Sequence, residues 1–173
     1  MKQRKTVWKR KLKKDDKGFS LVELIIVIAI MAVLVGVAAP QYLRFVERGR
    51  NSTDIQNISH IIQATQIYYL DPAKTADQWQ VGDGDTFTAT ASAGSASSNG
   101  LKDALTSAGL TDSTITCKST SAWTGYTITF NKNSNGNLDA TVTLQGPRAA
   151  DAVPAVKADL GGLARDVVAG TAQ

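Results

Sequence analysis

The 173-residue chain has one cysteine, Cys117, and one histidine, His60. A single cysteine excludes an internal disulfide. A lone histidine beside Ser59 and Ile61 has no partner set for a nucleophilic triad or a metal centre. No phosphate-binding glycine loop and no spaced cluster of Cys, His, Asp and Glu occurs, so the chain is read as non-enzymatic and without a cofactor. Charge is also scarce where it matters. From Phe19 to Ala39 the only ionisable residue is Glu23, and the only other polar side chain is Ser20.

That run of Leu, Val, Ile, Ala and Met, with Gly36 inside and Pro40 after it, covers about 31 Å as a helix, close to the hydrocarbon thickness of a bilayer. Only a helix pairs all its backbone groups within such a segment. Residues 1–18 carry nine Lys and Arg against Asp15 and Asp16, a net charge of +7. By the positive-inside bias the leader stays in the cytoplasm and the rest is translocated. Residues 19–173 hold 10 basic and 13 acidic residues, a net −3, so the basic balance belongs to the leader and does not point to nucleic acid. Two rival readings use the same run. A secretory signal peptide would be cut near Val37-Ala38-Ala39, but the run is long, holds a carboxylate, and places Pro40 after the small residues. An ordinary single-span anchor would not carry Glu23, which costs at least about 2.5 kcal/mol in the hydrocarbon.

Gly18-Phe19-Ser20-Leu21-Val22-Glu23 after a basic leader, followed by the apolar run and Pro40, closely resembles the class III signal of type IV prepilins and pseudopilins. The resemblance covers residues 14–60 and is specific in residue order. It implies cleavage between Gly18 and Phe19 by a membrane-embedded aspartyl prepilin peptidase, then N-methylation of Phe19. It implies a subunit held in the membrane by its helix, then drawn into a helical homo-oligomeric filament by an assembly ATPase and platform protein. Glu23 would meet the cationic amine of Phe19 in a neighbouring subunit, setting register as buried polar groups can. Gly36 and Pro40 would let the helix melt locally in the filament. The lack of a second cysteine departs from many Gram-negative pilins, which pin a carboxy-terminal loop with two, and favours a Gram-positive source. A pilus subunit for adhesion, motility or aggregation is the leading expectation. A pseudopilin of a secretion or DNA-uptake system and a membrane-anchored binding domain are the alternatives.

The expected fold class is α+β: a long helix packed on a small antiparallel sheet. The sequence divides into a leader (1–18), a helix (19–70, of which 19–39 spans the membrane and 40–70 is amphipathic), a head (71–146) and a tail or amphipathic helix (147–173). Ile55, Ile58, Ile62 and Tyr69 with Thr65 mark the buried stripe, while Arg48, Arg50, Asp54, Gln56 and Gln63 fall mostly elsewhere. Asp71-Pro72 ends the helix. Residues 73–100 read as a polar connection with one short strand, and Leu101 to Ala108 as a short helix stopped by Gly109. Strands are expected at 114–118, with Cys117 on its apolar face, at 126–130 and at 138–144, the last two joined through Asn135-Gly136. Val153, Val156, Leu160, Leu163 and Val167 suggest a second amphipathic helix interrupted by Gly161-Gly162. Asp83 and Asp85 are weak calcium candidates, and Asn131 to Gly136 is a hairpin loop rather than a calcium loop.

Overall fold

A computed structural model describes residues 19–71, 81–111 and 114–170. The chain forms two compact units, Met1–Gln41 and Tyr42–Gln173, and helix α1 (Leu21–Tyr69) contributes to both. In the first unit the helix opens after Ser20. Ser20-Leu21-Val22-Glu23 has the spacing of a capping box, and the backbone N–H of Ser20 donates to Glu23 Oε2 at 2.9 Å. The large apolar side chains from Leu21 to Val37 are all exposed. Among the described residues α1 is the one helix long and apolar enough to cross a membrane. It runs through Pro40, whose missing N–H leaves the Gly36 carbonyl, one turn back, without its helical donor.

In the second unit α1 buries Ile58, Ile61, Ile62, Thr65 and Tyr68, the 3–4 spacing of an amphipathic helix. Asp54 is buried with them at 0% exposure, contrary to its expected place off the stripe. These residues share one core with a five-stranded sheet of order β2-β1-β3-β4-β5. The strands are β1 (Asp85–Thr90), β2 (Gly94–Ala96), β3 (Gly125–Lys132), β4 (Leu138–Gln145) and β5 (Asp166–Ala169). Register places Ala96, Phe87, Ile128, Val142 and Val167 in one row across all five strands. All five side chains are buried, so this row is the floor on which the helix face closes.

The α+β class holds, with three departures in detail. Residues 85–96 form a hairpin of two strands rather than a connection with one, because Phe87 and Ala89 supply an inward face that the surrounding Thr and Ser conceal. Residues 115–119 are not a strand: the segment is extended and makes one backbone bond to the sheet, Cys117 N–H to Thr90 O at 2.8 Å. The C-terminal periodicity is split. Helix α3 (Ala149–Leu160) stops at Gly161, which takes the left-handed conformation at φ 56° and ψ 30°. Val167 then lies in β5, which pairs parallel with β4. The sheet is thus antiparallel except at this last pair, where α3 is the crossover that a parallel connection requires.

The remaining elements follow their local signals. Helix α2 (Asn99–Ser107) is capped by Ser98, whose Oγ accepts from Leu101 N–H at 3.1 Å, and Gly109 follows at φ 74°. In the β3–β4 hairpin Asn133 Oδ1 accepts from the N–H groups of Asn135 and Asn137 at 3.0 Å each, and Gly136 takes φ 79°.

Candidate assembly site

The N-terminal residues singled out in the sequence lie close together along the chain. Phe19 precedes α1 and is 91% exposed; Gly18 lies outside the described residues. Glu23 sits in the first turn, where a carboxylate also complements the helix dipole. Its acceptor oxygen is engaged by Ser20 of the same chain, so the carboxylate has a local partner before any neighbouring amine is considered. Gly36 has nothing within 4 Å of where a Cβ would sit, so its small size answers no contact inside this chain.

The head contains a second acidic arrangement that sequence reasoning missed. Asp54 and Glu47 stand seven residues apart on α1, on one face of the helix. Asp54 Oδ1 accepts from Lys118 N–H at 2.7 Å, and Oδ2 from Ser119 N–H at 2.8 Å and the Trp123 indole at 3.0 Å. The Cys117 thiol donates to the same oxygen at 3.4 Å. Glu47 Oε1 accepts from Ser121 N–H at 2.6 Å, Thr120 N–H at 2.7 Å and Ser119 Oγ at 3.1 Å. Its Oε2 accepts from Thr120 Oγ1 at 3.0 Å. Two carboxylates therefore hold residues 117–121 against α1 through a run of backbone donors, the strong charge-assisted kind.

The electrostatics follow from this geometry. At Glu47 burial opposes the charge, but the N–H groups of Thr120 and Ser121 and the nearby hydroxyls outweigh it, and the carboxyl is held down at about 2. Burial, and then the charge of Asp54, push the Cys117 thiol up to about 12. The same causes raise the Tyr126 phenol, whose buried hydroxyl has no hydrogen-bond partner among the described residues. Cys117 is buried as expected, though beside a carboxylate rather than on an apolar strand face. The signal that could have found the arrangement is the heptad step from Glu47 to Asp54 leading into the Ile58 and Ile61 stripe.

The calcium candidates are turned to other uses. Asp83 Oδ1 accepts from Lys132 N–H at 2.7 Å. Asp85 Oδ2 accepts from Gly82 N–H at 2.7 Å and Ser98 Oγ at 2.6 Å, tying the start of β1 to the cap of α2. Among the described residues no three His, Cys, Asp or Glu side chains gather as a metal site would require. His60 is exposed on α1.

Residues 13–39 match the prokaryotic N-terminal methylation motif. Curated proteins to which the chain is similar are named as type IV pilins or type IV fimbrial proteins. It is 35% identical over 71 residues to the type IV major fimbrial protein FimA of Dichelobacter nodosus, covering 41% of this chain and 44% of that one. It is 29% identical over 62 residues to the type IV major pilin protein PilA of Myxococcus xanthus (strain DK1622), covering 36% and 28%. The chain spans less than half the length of each of these curated relatives. No solved structure matches it. The methylation motif, the apolar N-terminal helix and the α+β head together give the chain a pilin-like architecture.

Proposed function

We propose that the chain is a structural subunit of an extracellular type IV pilus. One observation carries this reading: a methylation motif leads directly into a helix whose large apolar side chains from Leu21 to Val37 are all uncovered, ahead of a head with its own closed core. An apolar surface of that extent needs lipid or copies of itself to cover it. In this reading residues 1–18 remain cytoplasmic, a prepilin peptidase cuts between Gly18 and Phe19, and the new amine of Phe19 is methylated. The subunit rests in the cytoplasmic membrane until an assembly ATPase and platform protein add it to a helical filament. There Glu23 exchanges the Ser20 N–H for the Phe19 amine of a neighbour, and the carbonyl freed by Pro40 at Gly36 marks where α1 loosens. The head presents the pilus surface for adhesion, motility or aggregation. The chain performs no chemistry of its own and is the substrate of the peptidase.

The test is to shear cells and sequence the released filaments by mass spectrometry. A subunit beginning at N-methylated Phe19 is expected. Glu23→Ala is expected to be processed normally and to yield no or few filaments. An intact Met1 leader in the membrane fraction, with the protein missing from sheared filaments, would defeat the proposal.

A further inference from the structure

A groove of about 610 Å³ runs between the α1 segment starting at Arg44 and helix α3. Arg44, Arg48 and Arg148 line it with Asn51, Asp151 and Asp159. None of these arginines and aspartates is in an ion pair among the described residues. Arg148 uses its Nε on the Ser121 carbonyl at 2.9 Å. Asn51 Oδ1 is buried and has no hydrogen-bond partner among the described residues. Beside the groove Tyr42 and Phe45 are 68% and 65% exposed, and the Arg48 guanidinium stands 5.7 Å from the Phe45 ring centroid.

Counting along α1 gives these residues a setting. Between Glu23 and Arg44 lie residues 24–43, with Gln41 and Tyr42 near the far end as the only polar side chains. At helical rise that stretch is about 30 Å long, the hydrocarbon thickness itself. Bounded by its two charges, the span is better framed as 24–43 than as 19–39. Glu23 then lies at the inner interface, Tyr42 and Phe45 form the aromatic collar of the outer one, and Arg44 and Arg48 reach phosphate level.

We infer that this groove is a headgroup site for a zwitterionic amine-headed phospholipid such as phosphatidylethanolamine, occupied while the subunit waits in the outer leaflet of the cytoplasmic membrane. The inference rests on the membrane-resting stage proposed above. The arginines take the phosphate, and Asp151 takes the ammonium. Charge favours a zwitterion over an anionic lipid, since the three arginines face Glu47, Asp151 and Asp159 and the lining is neutral in sum. The site would hold the prepilin at a fixed depth and be vacated on extraction into a filament.

The test is the full chain with ¹³C-labelled arginine in vesicles of phosphatidylcholine mixed with either phosphatidylethanolamine or phosphatidylglycerol. Solid-state NMR would read guanidinium-to-³¹P proximity and acyl contacts of residues 24–43, and native mass spectrometry would read retained lipid. Phosphatidylethanolamine is expected to be retained preferentially, with Arg48 close to phosphorus. Arg48→Gln, and separately Asp151→Asn, each shown to keep its far-UV dichroism, are expected to lower that retention about tenfold, the worth of one charge-assisted contact. Equal retention of both lipids, preference for phosphatidylglycerol, or unchanged retention in both variants would overturn the site while acyl contacts at 24–43 stand. Loss of those acyl contacts would instead sink the membrane-resting stage.

Discussion

The indole N–H of Trp123 reaches Asp54 Oδ2 at 3.0 Å across 69 residues of chain. The carboxylate is fully buried, and it is tolerated because backbone and side-chain donors converge on it. Removing it leaves those donors buried and unpaired. Asp54→Ala is therefore expected to destabilise the head by about 3–5 kcal/mol, the cost of breaking a buried charged network. Thermal unfolding followed by near-UV dichroism would read this through the Trp123 environment. A loss below about 1 kcal/mol would mean that water replaces the carboxylate cheaply.

Glu47 ties the same segment but titrates in reach of experiment. Its folded pKa, at about 2, is depressed below the ordinary carboxyl value of 4.5. A depressed carboxyl contributes stability above its unfolded pKa and loses it as pH falls through the folded one. The contribution should thus be constant at neutral pH and disappear between about pH 4.5 and about pH 2. Glu47→Gln should be less stable than the parent at pH 7 and approach it in acid. Parallel stability curves for the two would contradict this assignment.

Cys117 should be chemically silent in the folded head. It is buried, and its thiol is pushed up to about 12, so almost no thiolate exists at pH 8. Alkylation by iodoacetamide should be negligible in native buffer and rapid in denaturant. Labelling at comparable rates in both would show that the 117–121 segment opens freely.

Tyr126 holds a buried hydroxyl with no partner among the described residues. Replacing it by phenylalanine keeps the ring and removes an unmet polar group. Tyr126→Phe is expected to be neutral or stabilising by about 1 kcal/mol. A marked loss of stability would instead reveal a bound water that bridges the hydroxyl to Asp54.

What could be read from the sequence and what could not separate along a physical line. Signals confined to one side chain and its near neighbours were legible: the Gly18 to Glu23 order, the Ile58 and Ile62 stripe, the Asn135-Gly136 turn, Gly109 after α2. So was the α+β class, because helical and strand periods occupy different stretches. The hairpin at 85–96 was hidden because only Phe87 and Ala89 mark its inner face. The end of α3 is not legible because Val167 continues a helical spacing that Gly161 breaks with a left-handed turn. The burial of Asp54 is not legible because nothing near it in sequence announces the donors at 118, 119 and 123. A buried carboxylate is intelligible only once its distant partners are known. Glu23 is a middle case. Its position was evident, but its engagement with the Ser20 N–H depends on where the helix begins.

The two carboxylates that grip residues 117–121 carry one consequence for the life of the protein. A head closed by covalent sulfur bridges must wait for an oxidant, and it can be reopened by a reductant. This head is fastened by groups already present in the nascent chain, and its one thiol is enclosed beside them. Its folding therefore needs no thiol-oxidising helper. Its grip should be indifferent to oxygen, so the same fastening would serve equally in anaerobic and aerated surroundings.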